Sequence, residues 1–292
     1  MLPIESGEVG IMVRCFRPED IAFADQVRRL AGWNQTEHDW RGYLEFEPHG
    51  CFIAEVGGFP VGTATTVRYG DRFGWIGMVL VHPERRRLGV GSQLLRRAIA
   101  YLQTTGVSSI KLDATPTGKK VYVPMGFVDE YEISRYEGVA PAVAPEAATA
   151  VTLFSPGDLD AVSRFDAPVF GADRTRVLSA LRGRNHAWCF VVRDRSGVTG
   201  YLIAREGAAA IQVGPWVARN LVSATSLLRA FFGRVGGRRI FVDVPAPNET
   251  GNELMRQYGF TVQRTLMRMY LGKNPHPGEP SLVYSTGGPE KG

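Results

Sequence analysis

The sequence predicts an α/β (α+β) architecture made of two successive units, each a mixed, mostly antiparallel sheet flanked by helices. Three observations carry this prediction. Short segments recur in the same order 130 to 138 residues apart: "GCFIAEVGGFPVG" (50–62) with "WCFVVRDRSGVTG" (188–200), "IKLDA" (110–114) with "IFVDV" (240–244), and "KKVYVPMGF" (119–127) with "NELMRQYGF" (252–260). A repeat of that length is a duplicated domain rather than a solenoid unit. Apolar runs of strand period alternate with runs of helical period throughout. A Pro- and Ala-rich stretch, "GVAPAVAPEAATA" (138–150), separates the copies and reads as a linker. The predicted units are therefore 1–137 and 151–292.

The elements of the first unit follow in order. "GIMVRCF" (10–16) is a strand, and Pro18, favoured in a first helical turn, opens a helix that runs to about Gly32. Thr36 can N-cap a second helix, with Asp39 three residues on to complete a capping box. "CFIAEV", "VGTATTVRY" and "GWIGMVLVH" are β-branched, alternating or wholly apolar runs bounded by turn residues, hence three strands in a meander. In "GSQLLRRAIAYLQTTG", Leu94, Leu95, Ile99 and Leu102 form the buried stripe of a helix. "SSIKLDA" is a strand, and a short helix over 117–123 follows. Pro124 and Gly126 end that helix and lead into a last strand from Phe127.

Composition limits what the chain can do. It is 292 residues long, 44% hydrophobic and 22% charged, as ordinary globular proteins are. No apolar run approaches the roughly 18 residues of a membrane span, and "MLPIESGEVG" lacks a signal peptide's basic start and apolar core. A cytoplasmic protein without a membrane partner is expected. Cys15, Cys51 and Cys189 are too far apart for a C-x-x-C site, and the five histidines show no ligand spacing, so neither disulfides nor a metal is predicted. The net charge of +5 is spread along the chain, with Arg85, Arg86 and Arg87 its only local concentration. A nucleic-acid partner is not expected, because no basic tail or aromatic-interleaved stripe is present.

That concentration lies in "MVLVHPERRRLGVGSQLL" (78–95), a strand leading through a glycine-containing loop into a helix. The first-turn N–H groups of a helix are unsatisfied and carry the positive end of its dipole, so such a loop is an anion site. Gly89 and Gly91 allow close backbone approach, and Arg86 and Arg87 can add charge-assisted bonds. The G-x-x-x-x-G-K-[ST] loop is excluded by Ser92 and Gln93, and G-x-G-x-x-G by Leu94.

Arg86-Arg87-Leu88-Gly89-Val90-Gly91 instead matches R/Q-x-x-G-x-G/A, and residues 10–137 resemble the GNAT superfamily of acyl-CoA N-acyltransferases. The second half resembles the degenerate GNAT-like domain of its two-domain subgroup. The resemblance implies that the backbone of Val79, Leu80 and Val81 pairs with pantetheine and that N–H groups from Arg86 to Ser92 hold the pyrophosphate of acetyl-CoA. It also implies that Tyr122 protonates the departing thiolate. Where the family often has Asn, this chain has Thr115.

The implied reaction is direct attack of a small-molecule or amino-acid-like amine on acetyl-CoA. That amine must be neutral, which at pH 7 costs roughly 4.6 kcal/mol for a Lys-like amine and about 1 kcal/mol for an α-amine. "GWNQTEHDW" (32–40) is expected to form the lip over the acceptor, with Trp33, Asn34, Gln35 and Asp39 as substrate contacts; the alternative for its tryptophans, Trp33 and Trp40, is core packing. Glu55 is a weak candidate base. Asp113 is read as structural, because the second copy keeps Asp243 in the same place.

Laying 214–228 over 81–95 puts Arg219 on Arg86, Val222 on Gly89 and Ala224 on Gly91, while Met255 replaces Tyr122. The second copy thus lacks the chemical residues. Walling the acceptor pocket is its expected role; dimerisation, as a homodimer, and binding of a regulatory ligand are the alternatives. A non-catalytic acyl-CoA sensor is the rival function, and the presence of Tyr122 favours the enzyme.

Overall fold

The computed structural model describes residues 10–142, 150–184 and 187–292; most of the expected linker, 143–149, lies outside them. The first half runs β1 (Ile11–Cys15), α1 (Ile21–Leu30), α2 (Glu37–Phe46), β2 (Phe52–Val56), β3 (Phe59–Tyr69), β4 (Phe73–Val81), α3 (Val90–Thr104), β5 (Ser109–Ala114), α4 (Pro116–Tyr122) and β6 (Val128–Val139). The second repeats the plan as β7 (Val151–Leu153), α5 (Leu159–Phe170), α6 (Thr175–Arg182), β8 (Trp188–Asp194), β9 (Gly197–Arg205), β10 (Ile211–Ala218), α7 (Leu221–Val235), β11 (Arg239–Pro245), α8 (Glu249–Gln257) and β12 (Thr261–Gly272). A short β13 (Val283–Ser285) follows. The order of elements in each half is the expected one. β6 runs two residues into the stretch read as linker, because Gly138 and Val139 still pair with Ile240 and Arg239 of β11.

That pairing shows a feature absent from the sequence reading. The sheet order is β1-β2-β3-β4-β5-β12-β6-β11-β10-β9-β8-β7, so the last strand of each half completes the sheet of the other. β12 lies antiparallel to β5, and β6 antiparallel to β11, with β6 and β12 paired between them. One sheet therefore crosses both halves.

Two buried ion pairs lie at equivalent places in the exchange. Arg268 on β12 faces Asp113 on β5 and donates to both its carboxylate oxygens, at 2.8 and 2.9 Å. Arg135 on β6 faces Asp243 on β11 and does the same at 2.7 Å twice. Each aspartate neutralises an arginine delivered by the other half. Asp113 and Asp243 recur because each holds an exchanged strand, which explains their presence in both copies without any chemistry.

Successive residues of a strand face opposite sides, and the core divides accordingly. Phe52 and Ala54 pack under α3 with Leu94, Leu95, Ala98 and Leu102. Ile53, on the other face of β2, joins a cluster in which Trp40, Tyr69, Phe73 and Trp75 of the first half meet Phe170, Leu178 and Tyr201 of the second. The halves share this layer. Cys51 and Cys189 are buried free thiols, and burial pushes each up to about 12.

Candidate active site

β4 and β5 run parallel and pair only at Gly74–Ile110 and Trp75–Lys111. Beyond Trp75 the strands separate, and Met78 (φ 50) marks a bulge where the pairing of β4 with β3 shifts register. A bulge re-aims the backbone beside it. Past the end of β4, residues 83–89 form an exposed loop leading to α3. Gly89 is the N-cap of α3, at φ 82, and no side chain caps this end. The leading N–H groups at Val90, Gly91 and Ser92 are thus left for an external acceptor. Arg87 is itself strained, at φ 65, and Arg86 donates to the Val81 carbonyl at 3.2 Å. Arg87 and Leu88 are exposed, and the Val90 side chain is buried in the core, leaving only its backbone for a ligand.

Where β4 and β5 part lies a narrow cleft, with a cavity volume of about 40 Å³. Its lining combines Ile76 to Val79 of β4, Leu112 and Asp113 of β5, Thr115 and Tyr122 around α4, Trp33 and Gln35 before α2, Arg264 and Leu266 of β12, and Pro289 and Glu290. Tyr122 is held at the last position of α4, its ring 6.0 Å from Phe127. Burial pushes its hydroxyl up to about 12, so it is a protonated donor at neutral pH. Thr115 caps α4, its hydroxyl accepting from Gly118 N–H at 3.1 Å.

The floor is made by the last residues of the chain. After β13, the stretch 286–292 enters the first half and is buried there. Tyr69 and Trp75 donate to the carbonyls of Lys291 and Pro289, at 2.5 and 3.0 Å. The tail passes so close to β4 that a Cβ on Gly77 would lie 2.6 Å from the Glu290 carbonyl oxygen. The Glu290 carboxylate accepts from Gln35 Nε2 at 2.7 Å, bonds to Lys291 and lies 3.6 Å from Arg205. Burial works to raise this carboxyl, but Lys291 and Arg205 overcome it, and the group stays ionised below its ordinary range.

The residues predicted from sequence separate into two groups. Tyr122, Val79, Trp33 and Gln35 meet in the cleft; Leu80, Val81 and the 86–92 stretch continue away from it along the splayed strand and loop. Asn34 and Asp39 are not among the cleft's lining residues. Asn34 bridges the halves, accepting from Ala209 and Ala210 N–H and donating to the Ala210 carbonyl. Asp39 accepts from Thr36 N–H at 2.8 Å and bonds Arg184 and Lys291, whose charges hold it far below the usual carboxylate range against the effect of burial. Glu55 is bound by Arg14 at the β1–β2 edge and is not part of the cleft, which removes it as a base. Trp40 is a core residue stacked on Phe16.

Sequence reasoning missed Arg264 and Glu290. Arg264 carried a signal, since it alternates with Leu266 and Arg268 along one face of an otherwise apolar strand. Glu290 carried none: "TGGPEKG" reads as a solvated end.

The second half closes its equivalent groove in two ways. β10 ends at Ala218 and α7 begins at Leu221, so only Arg219 and Asn220 stand where the first half has residues 82–89. Placing Arg219 on Arg86 and Val222 on Gly89 is therefore corrected: the loop is shortened rather than substituted. The Asn220 side chain accepts from Ser223 N–H at 2.9 Å, capping α7 internally. β13 pairs with β10 in the gap where β10 and β11 part, and Trp216, fully buried, packs against Tyr284 of that strand with ring centroids 5.0 Å apart and the rings tilted by 34°. Met255 is buried where the first half has Tyr122. Among the described residues no group of three or more His, Cys, Asp or Glu could hold a metal ion, and no helix is long and apolar enough to cross a membrane.

Two exchanged copies of a splayed mixed sheet, one open and one filled, define an acyltransferase class of fold. Comparison with known proteins agrees. Residues 19–127 match the Acetyltransferase (GNAT) family, and residues 162–285 match an Acetyltransferase (GNAT) domain. The holothin acyltransferase of a Pseudoalteromonas species is 26% identical over 246 residues, which are 83% of this chain and 82% of that one. A crystal structure from Pyrococcus horikoshii, described as a candidate acetyltransferase, is 25% identical with a TM-score of 0.83 and covers 100% of this chain and 98% of its own. A tandem GNAT protein from the clavulanic acid biosynthesis pathway shares the fold at 17% identity, with a TM-score of 0.64 over 89% of this chain and 98% of its own. The chain belongs to the GNAT family and is a tandem GNAT protein, an N-acetyltransferase by type.

Proposed function

We propose that the protein transfers an acetyl group from acetyl-CoA to the primary amine of a small molecule, by direct attack and without an acetyl-enzyme. The observation that carries this reading is the placement of Tyr122, a half-buried side chain with a protonated hydroxyl, in the same cleft as the bulged backbone of β4. The donor's pantetheine arm lies along Val79, Leu80 and Val81, where β4 has no partner on the β5 side. Its pyrophosphate accepts from the N–H groups of the 86–92 loop and the uncapped α3 terminus, aided by Arg86 and Arg87. A backbone N–H of β4 near the bulge polarises the thioester carbonyl, and Tyr122 delivers a proton to the leaving sulfur. The second half takes no part in the chemistry but walls the cleft with Arg264, Leu266 and Glu290. A relative of similar length bears the name of a compound, holothin, which supports a small-molecule acceptor.

The test is release of CoA thiol from acetyl-CoA across a panel of primary amines and amino acids, with the acetylated product identified by mass. Turnover of at least one acceptor is expected; tight acetyl-CoA binding with no turnover on any of them would leave a binding protein instead. The loop gives a second expected result. A β-branched residue at the left-handed N-cap costs roughly 1–2 kcal/mol or more, so Gly89→Val should raise the KM for acetyl-CoA at least about tenfold, with acceptor KM unchanged. An unaltered acetyl-CoA KM would remove the loop from the donor site.

A further inference from the structure

Buried polar atoms without a partner are few in a folded chain, and each needs a reason. Two of the atoms in this state belong to residues that line the same cleft: Gln35 Oε1 and Arg264 Nε. They are complementary, one an acceptor and the other a cationic donor. The Gln35 amide is oriented by its own Nε2, which donates to the Glu290 carboxylate at 2.7 Å, so its oxygen is the atom left without a partner. Arg264 makes no ion pair with any described residue, unlike its strand neighbour Arg268, which is held by Asp113. The two carboxylates of the lining are already compensated, Asp113 by Arg268 and Glu290 by Lys291 and Arg205. The cleft lining therefore carries one positive charge, Arg264, with no ion-pair partner among the described residues. Burial and the neighbouring Arg135 lower Arg264 to about 10, well above neutrality, so the charge persists at pH 7.

We infer that Gln35 and Arg264 together read an amino carboxylate: the acceptor offers an amine N–H to Gln35 Oε1 and its carboxylate to the Arg264 guanidinium. The assignment rests on the transferase reading above and narrows its acceptor to an amino-acid-like compound. A guanidinium matches a carboxylate bidentately, and the site loses nothing to desolvation that the ligand does not restore. An acceptor bearing an amine alone would leave the buried Nε of Arg264 unpaired. Arg264 belongs to β12, so the strand exchange is what delivers this group to the other half's cleft.

The experiment compares each common L-amino acid with its own primary amide, in wild type, Arg264→Met and Arg264→Gln. The amide's amine is the less basic and so more often neutral, which by itself favours the amide. The expected result is the reverse: the free acid leads by at least about tenfold in kcat/KM, a preference that falls to within about twofold in both variants. The KM for acetyl-CoA should not change. The variants should melt no lower than wild type, since an unpaired, half-buried charge is removed rather than a pair broken. A second readout needs no turnover: with CoA bound, the free acid but not the amide should raise the melting temperature of wild type and not of Arg264→Met. Equal use of acid and amide by wild type, selectivity retained in the variants, or a defect confined to acetyl-CoA would each overturn the assignment. If thiol is never released but the acid-specific melting shift stands, the transferase reading fails and the amino-carboxylate site survives. If thiol is released with no dependence on the carboxylate, the transferase stands and the amino-carboxylate site falls.

Discussion

Replacing Tyr122 with Phe should lower kcat by about 10²- to 10⁴-fold, the usual contribution of a positioned general acid, while leaving the KM for acetyl-CoA within about twofold. The separation follows from geometry. The ring packs against Phe127 and is kept by the substitution, so only the hydroxyl is lost from the cleft. Its ionisation sets the pH dependence. A general acid is active while protonated and fails as pH rises through its pKa, and burial has pushed this one up to about 12. The kcat profile of wild type should therefore show no alkaline fall between pH 7 and about 10, where an unperturbed tyrosine would begin to ionise. Any acid limb belongs to the acceptor amine, which must lose a proton before it attacks, and should persist in the variant. A Phe variant with nearly full kcat would show that the leaving thiolate needs no proton from this residue.

The largest effect on stability is expected behind the cleft, at the cross-strand neighbour of Arg264. Arg135→Met leaves Asp243 ionised at 1% side-chain exposure, with only Gln212 as side-chain partner, and should cost about 3–5 kcal/mol in urea unfolding. The double variant Arg135→Met with Asp243→Leu should recover most of the loss, because two apolar residues of fitting size replace a buried pair at little cost. Recovery distinguishes a penalty for stranding a charge from a requirement for the ion pair itself. If the double variant is as unstable as the single, Arg135 contributes mainly through packing, for instance its contact with the Phe241 ring.

The parts of this protein that can be read in its sequence are those specified locally. Strand and helix periods, the Thr36 cap, the glycine before α3 and the spacing of Tyr122 from Gly126 are each properties of a few adjacent residues, and each falls where expected. The strand exchange is not legible, because exchanged and unexchanged pairings use the same strands with the same alternating faces. Only the Arg135 and Arg268 placements, charges on the same strand faces as Ile133 and Leu266, hint that partners lie elsewhere. The shortened loop before α7 is hidden from any ungapped superposition of the two copies, because the ends of their strands do not coincide. The polar chemistry of Asn34 and Asp39 suggests the cleft, yet their partners are the second half and the tail, more than a hundred residues away. The tail itself reads as solvated, since Asp39, Arg205 and Gln35, the partners its charges take besides each other, come to it only on folding.

The exchange of β6 and β12 also governs the time course of synthesis. The free edge of β5 meets its native neighbour only after residue 272 has left the ribosome, more than 150 residues later. Until then β6 is the nearest antiparallel strand available to it, and the pairing it offers is the one the finished protein rejects. A first half released early, by truncation or stalling, keeps either that competing partner or an open edge prone to join another chain. The duplicated architecture thus cannot be completed half by half: the sheet has its native neighbours throughout only once β12 is available.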